Sequence, residues 1–198
     1  MVMDFFEKRV SHKLKYHCSF LDLYEDEVRL PNGKLTSRVY IEHLGAAAVL
    51  PITKDHKVVL TKQFRYPIGQ VSLEVPAGKK DEKDEESILC AKRELEEETS
   101  YVSENIHFVQ RIYNCLGYSN EAIDLFLALD CTYKEDAKSA DEDEFIERVV
   151  LSIDECKKLL KEGSLTDVKT ALLLQHYLLE YGGGNHAQIM VERMDSCH

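Results

Sequence analysis

Residues that interrupt regular structure are scarce in this chain: 198 residues include nine glycines and four prolines. That excludes collagen-like and low-complexity chains. Basic charge is short as well, with 25 Lys and Arg against 36 Asp and Glu and a formal net charge of −11. A general attraction for nucleic-acid backbones or anionic membranes is therefore disfavoured, and a protein this acidic that handles anions needs a cation to help. Paired cysteines are missing: Cys18, Cys90, Cys115, Cys131, Cys156 and Cys197 are scattered, with no CxxC and no Cys/His spacing of the zinc kind, and read as reduced thiols. No apolar run approaches a membrane span. Met1 to Val10 sets Asp4, Glu7, Lys8 and Arg9 among its apolar residues, without the hydrophobic stretch of a signal peptide, so the expected compartment is the cytosol. What is present, 44% apolar and 31% charged residues, suits one folded domain of ordinary size, with at most a small appendage.

Periodicity divides the chain. Apolar and polar residues roughly alternate from Leu14 to Leu30, and again from Lys34 to Leu44 after Pro31-Asn32-Gly33, which predicts an N-terminal antiparallel hairpin. Gly45 to Ile52 is almost wholly apolar and Val58 to Phe64 follows as a strand, so the core sheet starts here. Beyond Pro76-Ala77-Gly78 the period turns helical, with Ile88, Ala91, Leu95 and Thr99 on one stripe of a helix over about 84–99. Strands are predicted at Ile106 to Tyr113, Ile123 to Leu129 and Phe145 to Ser152, with an acidic loop from Tyr133 to Glu144. Helices are predicted at Asp154 to Lys161 and at Asp167 to Tyr181, the latter closed by Gly182-Gly183-Gly184. The expected architecture is a mixed sheet flanked by helices. Residues 1–44 are expected to form a hairpin that packs apart and is the candidate dimerisation segment, 45–184 the main domain, and 185–198 an unassigned tail.

The most informative segment runs from Gly78 to Thr99. At about 100° per helical residue, Glu94, Glu97 and Glu98 fall within an arc of roughly 100°, while Glu96 points to the far side. These acids lie in the C-terminal half of the helix, where the macrodipole already disfavours negative charge. A cation is expected there, and hard oxygen ligands favour Mg²⁺ or Mn²⁺. The competing reading is a solvated acidic face. Against it, the helix follows a strand and a Pro-Ala-Gly loop, and Arg93 stands among the acids, where it can orient one of them.

In order, Gly78, Glu85, Arg93, Glu94, Leu95, Glu97, Glu98 and Tyr101 resemble the signature of the Nudix hydrolase family: Gly, five residues, Glu, seven residues, Arg-Glu-apolar-x-Glu-Glu-x-Gly-apolar. Two departures stand out. Six residues separate Gly78 from Glu85, and Ser100 replaces the closing Gly; the second leaves a helix end without the usual residue tolerant of left-handed backbone. Glu42-His43-Leu44-Gly45-Ala46, Gln63-Phe64-Arg65-Tyr66, Leu73-Glu74-Val75-Pro76-Ala77-Gly78, Gly117-Tyr118-Ser119-Asn120-Glu121, Asp141-Glu142-Asp143-Glu144 and Gly163-Ser164-Leu165-Thr166-Asp167 look like the ADP-ribose and ADP-sugar pyrophosphatase branch.

The resemblance implies an α/β/α sandwich that hydrolyses a nucleoside diphosphate sugar, foremost ADP-ribose. It implies Mg²⁺, with Mn²⁺ as a substitute, held by Glu94, Glu97, Glu98 and the Ala77 carbonyl, with Glu97 also counted among the catalytic groups. Arg65, Glu121 and Arg38 become substrate contacts, and Glu142 or Glu144 becomes the water-activating glutamate. A homodimer that exchanges N-terminal strands is implied too, with no nucleic-acid or membrane partner. Taken without the family, Arg65 is a strand-end arginine in an ordinary ion pair, Glu142 and Glu144 belong to a solvated loop, and Glu121 caps or solvates its turn. His43, beside an apolar strand, reads as a packed histidine, and Glu85 as an acid holding Arg93 or a loop amide. Three alternatives stay open: another nucleotide substrate (GDP-mannose, a dinucleotide or an oxidised nucleoside triphosphate), a non-hydrolytic nucleotide sensor, and a generic acidic interaction protein.

Overall fold

The structure is a computed structural model that describes residues 4–137 and 145–182. A three-stranded antiparallel sheet comes first: β1 (Lys8–His17), β2 (Asp22–Arg29) and β3 (Leu35–Glu42). β2 and β3 form the expected hairpin about Pro31-Asn32-Gly33, closed by the Gly33 amide donating to the Leu30 carbonyl at 2.8 Å. The expectation of one strand from Leu14 to Leu30 is corrected, because the chain turns at Cys18–Leu21, where the Cys18 amide donates to the Leu21 carbonyl. Apolar residues continue through that turn, which contains no Gly or Pro, so a rough period of two did not reveal it. His12, Tyr24 and Tyr40 stack across the three strands at 4.1 and 5.8 Å, the cross-strand packing that holds such a sheet.

The remaining strands form one mixed sheet. Its spine is β11 (Glu147–Ser152), β5 (Lys57–Arg65), β4 (Ala46–Thr53), β10 (Ala122–Tyr133) and β8 (Tyr101–Val102). β6 (Gln70–Glu74) pairs with β5, β7 (Ala77–Lys79) with β4, and β9 (Asn105–Tyr113) with β10. β6 and β7 escape the periodicity reading because both are short: β6 offers only Val71 and Leu73 to a period of two, and β7 has three residues. Every residue of β4 is buried, the pattern of a strand covered on both faces. Ala48, Leu50 and Ile52 pack with Leu125 and Leu127 against Leu173, Leu174 and Tyr177 of α3 (Val168–Tyr181). On the other face Ala47 and Val49 join Phe126 and Ala128 against Cys90, Ala91 and Leu95 of α1 (Ser87–Thr99). At roughly 1.5–3 kcal/mol for each fully buried Leu or Val, these two layers dominate the apolar stabilisation. The α/β/α sandwich is therefore present.

Helix ends follow side-chain chemistry. In α2 (Ile153–Glu162), Ser152 and Glu155 form a reciprocal capping box. Asp167 caps α3 by accepting from the Thr170 amide at 3.0 Å. At the far end Gly182 keeps right-handed backbone (φ −80), and Gly183 and Gly184 lie outside the described residues. Ser100, by contrast, does adopt the left-handed conformation (φ 59), at the position where the signature it resembles has Gly. α1 carries no basic residue in its last turn; cations arrive from elsewhere. Arg148 of β11 donates to the Thr99 carbonyl at 2.7 Å and lies 4.8 Å over the Tyr133 ring, and Lys134 pairs with Glu96 at 2.7 Å. No helix among the described residues is long and apolar enough to cross a membrane.

Candidate active site

β4 and β10 run parallel, with Ala46 opposite Ile123, and β7 lies antiparallel on β4, with Gly78 opposite Ala47. At this end of the sheet opens a cavity of about 560 Å³. α1 contributes Arg93, Glu94 and Glu97 to its wall, β7 contributes Ala77, Gly78 and Lys79, β5 contributes Arg65 and α3 contributes Lys169. His43, Glu121, Asp81, Asn114 and Phe20 complete the polar and aromatic rim. Four carboxylates (Asp81, Glu94, Glu97, Glu121) face four cations (Arg65, Lys79, Arg93, Lys169), so this strongly acidic chain keeps its cavity near charge balance. A second cavity of about 630 Å³ adjoins it, sharing Phe20, His43, Lys79 and Asp81 and extending under the β1–β2 turn.

Within α1 the expected charge conflict is visible, and its resolution is local. Arg93 Nη1 donates to Glu94 at 2.6 Å and to Glu97 at 3.3 Å, while Nη2 donates to the Lys79 carbonyl at 3.1 Å. Glu98 turns to the loop, where its Oε2 accepts from the Ala77 amide at 3.2 Å. Glu85 accepts from the Asp81 amide at 2.8 Å, which makes it the loop-amide holder expected of it. Gly78 lets the Glu94 carboxylate pack directly on the loop, where a Cβ would displace it.

Three convergent acids were expected from the helix face. Instead, among the described residues no three His, Cys, Asp or Glu side chains come together at metal-ligand spacing. Two of the three, Glu94 and Glu97, share one cationic partner, while Glu98 is held by the Ala77 amide. The donors nevertheless fit a hard divalent cation: carboxylate oxygens that already share a cation, with one of them packed on the glycine of the loop whose Ala77 carbonyl is the fourth expected ligand.

Arg65 reaches the cavity from the end of β5 and is held by a nearly buried partner. Its Nε and Nη2 donate to the two oxygens of Glu74 at 2.8 and 2.7 Å, and Glu74 is 3% exposed. Lys169 adds a contact to Glu74 at 3.4 Å and one to Asp167 at 2.6 Å. Burial by itself would push the Glu74 carboxyl up, but the Arg65 bonds and the Lys169 charge outweigh it and hold the group at about 2. The ion-pair reading of Arg65 is thus observed, and the same side chain lines the cavity.

Glu121 lines the cavity as expected, and His43, read from sequence as a packed histidine, lines it too. Arg38 does not. On β3 it forms a two-pronged pair with Glu7 at 2.9 and 2.7 Å, so within this chain the N-terminal sheet keeps it off the cavity wall. Glu142 and Glu144 lie outside the described residues, as does the 185–198 tail. Lys169 and Glu74 escaped the sequence reading. The available signal was an acid inside the β6 strand beside Val75, and a lysine two residues past the α3 cap, both within or next to segments already singled out.

A family model described as the NUDIX domain matches residues 42–172. This chain belongs to the Nudix family. Over 174 residues it is 37% identical to the ADP-ribose pyrophosphatase of Bacillus subtilis, covering 88% of this chain and 94% of that relative. It is 36% identical over 176 residues to the methanol dehydrogenase activator of Bacillus methanolicus, covering 89% and 95%. With the GDP-mannose pyrophosphatase of Pectobacterium atrosepticum the identity is 30% over 187 residues, covering 89% and 94%. A solved ADP compounds hydrolase superposes with a TM-score of 0.74 over 89% of this chain and 96% of that chain, at 18% identity, a likeness of fold. For a Nudix chain, the α1 acids and the Gly78 loop on the cavity wall are the parts the family signature names.

Proposed function

We propose that this Nudix protein hydrolyses the diphosphate of a nucleoside diphosphate sugar, ADP-ribose before others, to AMP and ribose 5-phosphate. The observation that carries the reading is the meeting, in one cavity, of the Glu94 and Glu97 carboxylates with the Arg65 and Lys169 cations. The cations suit phosphate oxygens, and the acids suit a divalent metal, Mg²⁺ with Mn²⁺ as a substitute. Glu94, Glu97, Glu98 and the Ala77 carbonyl would hold that ion, which supplies charge neutralisation on the diphosphate and acidifies water. Water oxygen bonds to one phosphorus, the bridging P–O bond breaks in line, and a carboxylate takes the water's proton. Glu142 or Glu144 is the group assigned to that proton. Glu121 and Phe20 face the substrate space, and the adjoining cavity under the β1–β2 turn gives room for the nucleoside.

The chain works as a homodimer in this proposal. All ten residues of β1 are exposed, and Val10, Leu14 and Tyr16 on it stand with Phe5, Phe6, Leu35 and Val39 as uncovered apolar side chains. The substrate assignment is tested by product analysis over ADP-ribose, GDP-mannose, a dinucleotide and an oxidised nucleoside triphosphate, each with Mg²⁺. AMP and ribose 5-phosphate released fastest, from ADP-ribose, is the expected result. Faster cleavage of GDP-mannose would replace the substrate, and no cleavage of any member would favour a nucleotide sensor.

A further inference from the structure

Three contacts converge on His43, in the short connection between β3 and β4. Its backbone amide donates to Asn120 Oδ1 at 2.8 Å, its ring Nδ1 accepts from the Gly45 amide at 3.1 Å, and its Nε2 stands 3.8 Å from Glu121 Oε1. Gly45 has φ 99, and a Cβ there would stand 3.3 Å from the Ala122 carbonyl oxygen, so only glycine presents its amide to the ring without strain. A ring nitrogen that accepts a hydrogen bond carries no proton. The neutral imidazole therefore keeps its proton on Nε2, the nitrogen that faces Glu121. Glu121 is set from its other side by its own amide, which donates to Ser119 Oγ at 3.1 Å. Both side chains line the cavity and both are largely shielded, His43 at 15% and Glu121 at 27% exposure.

We propose that His43 is a positioning residue: its ring, locked in the Nε2–H form by the Gly45 amide, aims the Glu121 carboxylate into the substrate space. The separation of 3.8 Å exceeds a hydrogen bond, and it closes when bound substrate excludes water, as contacts in such sites do. The proposal rests on reading this cavity as the diphosphate-hydrolysing site.

Two substitutions separate the ring's two nitrogens. Asparagine sets an amide oxygen where Nδ1 stands, so His43→Asn keeps the acceptor for Gly45 and loses the donor to Glu121. Glutamine sets an amide nitrogen where Nε2 stands, so His43→Gln keeps the donor. His43→Asn is expected to melt like the parent while kcat/KM on ADP-ribose falls by about tenfold or more, the usual effect of removing a group that orients a site residue. His43→Gln recovers most of that loss. The double variant with Glu121→Gln is no worse than Glu121→Gln alone, the signature of two residues acting as one unit. Unchanged kcat/KM in His43→Asn, additive losses in the double variant, or equal loss in both variants with a lowered Tm would overturn the proposal. A readout independent of turnover is the ¹⁵N spectrum of the His43 ring, where an Nε2–H form whose Nε2 signal moves in Glu121→Gln is expected. That spectrum with no hydrolysis of any substrate would sink the functional reading and keep the coupling. Hydrolysis with an Nδ1–H ring would do the reverse.

Discussion

Glu97 and Glu74 show how differently two buried-side acids serve one cavity. Glu97 shares Arg93 with Glu94, and glutamine keeps its size, so Glu97→Gln is expected to lower kcat by at least about 100-fold with the fold intact, because it removes charge from the proposed metal site. Turnover near the parent's at saturating Mg²⁺ would exclude the role. Glu74 is structural in a different sense: it fixes Arg65 and Lys169 from beneath. Its carboxyl lies at about 2 in the fold against an ordinary 4.5. A depressed carboxyl stabilises the fold at pH above its unfolded value and loses that contribution as pH falls towards the folded one. The window is therefore pH 4.5 down to about 2, and the size is at most about 3 kcal/mol. Urea unfolding across that window should steepen with acid in the parent and flatten in Glu74→Gln. The variant is also expected to be less stable at neutral pH, since Arg65 loses its two-pronged carboxylate while Lys169 keeps Asp167 alone. The same acid dependence in both proteins would show that the ion pair does not carry it.

The signature helix ends in a strained residue. Ser100 takes φ 59, its amide donates to the Glu96 carbonyl at 2.8 Å, and its carbonyl accepts from the Lys134 amide at 2.8 Å. Left-handed backbone disfavours an L-residue by roughly 1–2 kcal/mol. Ser100→Gly should therefore stabilise the protein by about 0.5–1 kcal/mol, after allowance for the extra freedom of glycine in the unfolded chain. Thermal melts would check it, and a lower Tm would mean that the surrounding contacts need the serine. Why the helix tolerates Ser100 is visible in its neighbours: Arg148 caps Thr99, and Lys134 pairs with Glu96. These cations come from β11 and the end of β10, supplying at the carboxyl end the positive charge that α1 itself lacks.

For the whole molecule, the N-terminal sheet is the element that the core does not explain. Among the described residues, β3 meets the loop before β10 through an isolated bridge, Ile41 to Ser119, and just past its end through the His43 amide on Asn120, while β1 stays exposed along its length. Exposed apolar side chains on a three-stranded sheet of this kind call for a partner surface. A second copy of the chain is expected to supply it, so light scattering at micromolar concentration should return the dimer mass. A fully active monomer would rule the proposal out. Arg38 gains interest in that setting, since its place on β3, away from this chain's own cavity, leaves a contact across the dimer as the way it could serve a substrate.

Local chemistry was enough for much of this. The acidic face of α1, the apolar run of β4, the turn at Pro31-Asn32-Gly33 and the start of the last helix at Asp167 all follow from spacing or side-chain type within a few residues, because helix and strand periods place neighbours on known faces. The signature carried the family, and with it the sandwich. Tertiary structure decided the partners. Strand order and register, which no local period encodes, set Glu74 against Lys169 across 95 residues. They also set His43 against Glu121, and turned Glu98 to the Ala77 amide while Glu94 and Glu97 kept Arg93. A helix face can say which carboxylates are able to meet; only the packed loop, with its amide and its glycine, settles which of them do, since each carboxylate goes to the nearest donor that burial leaves it.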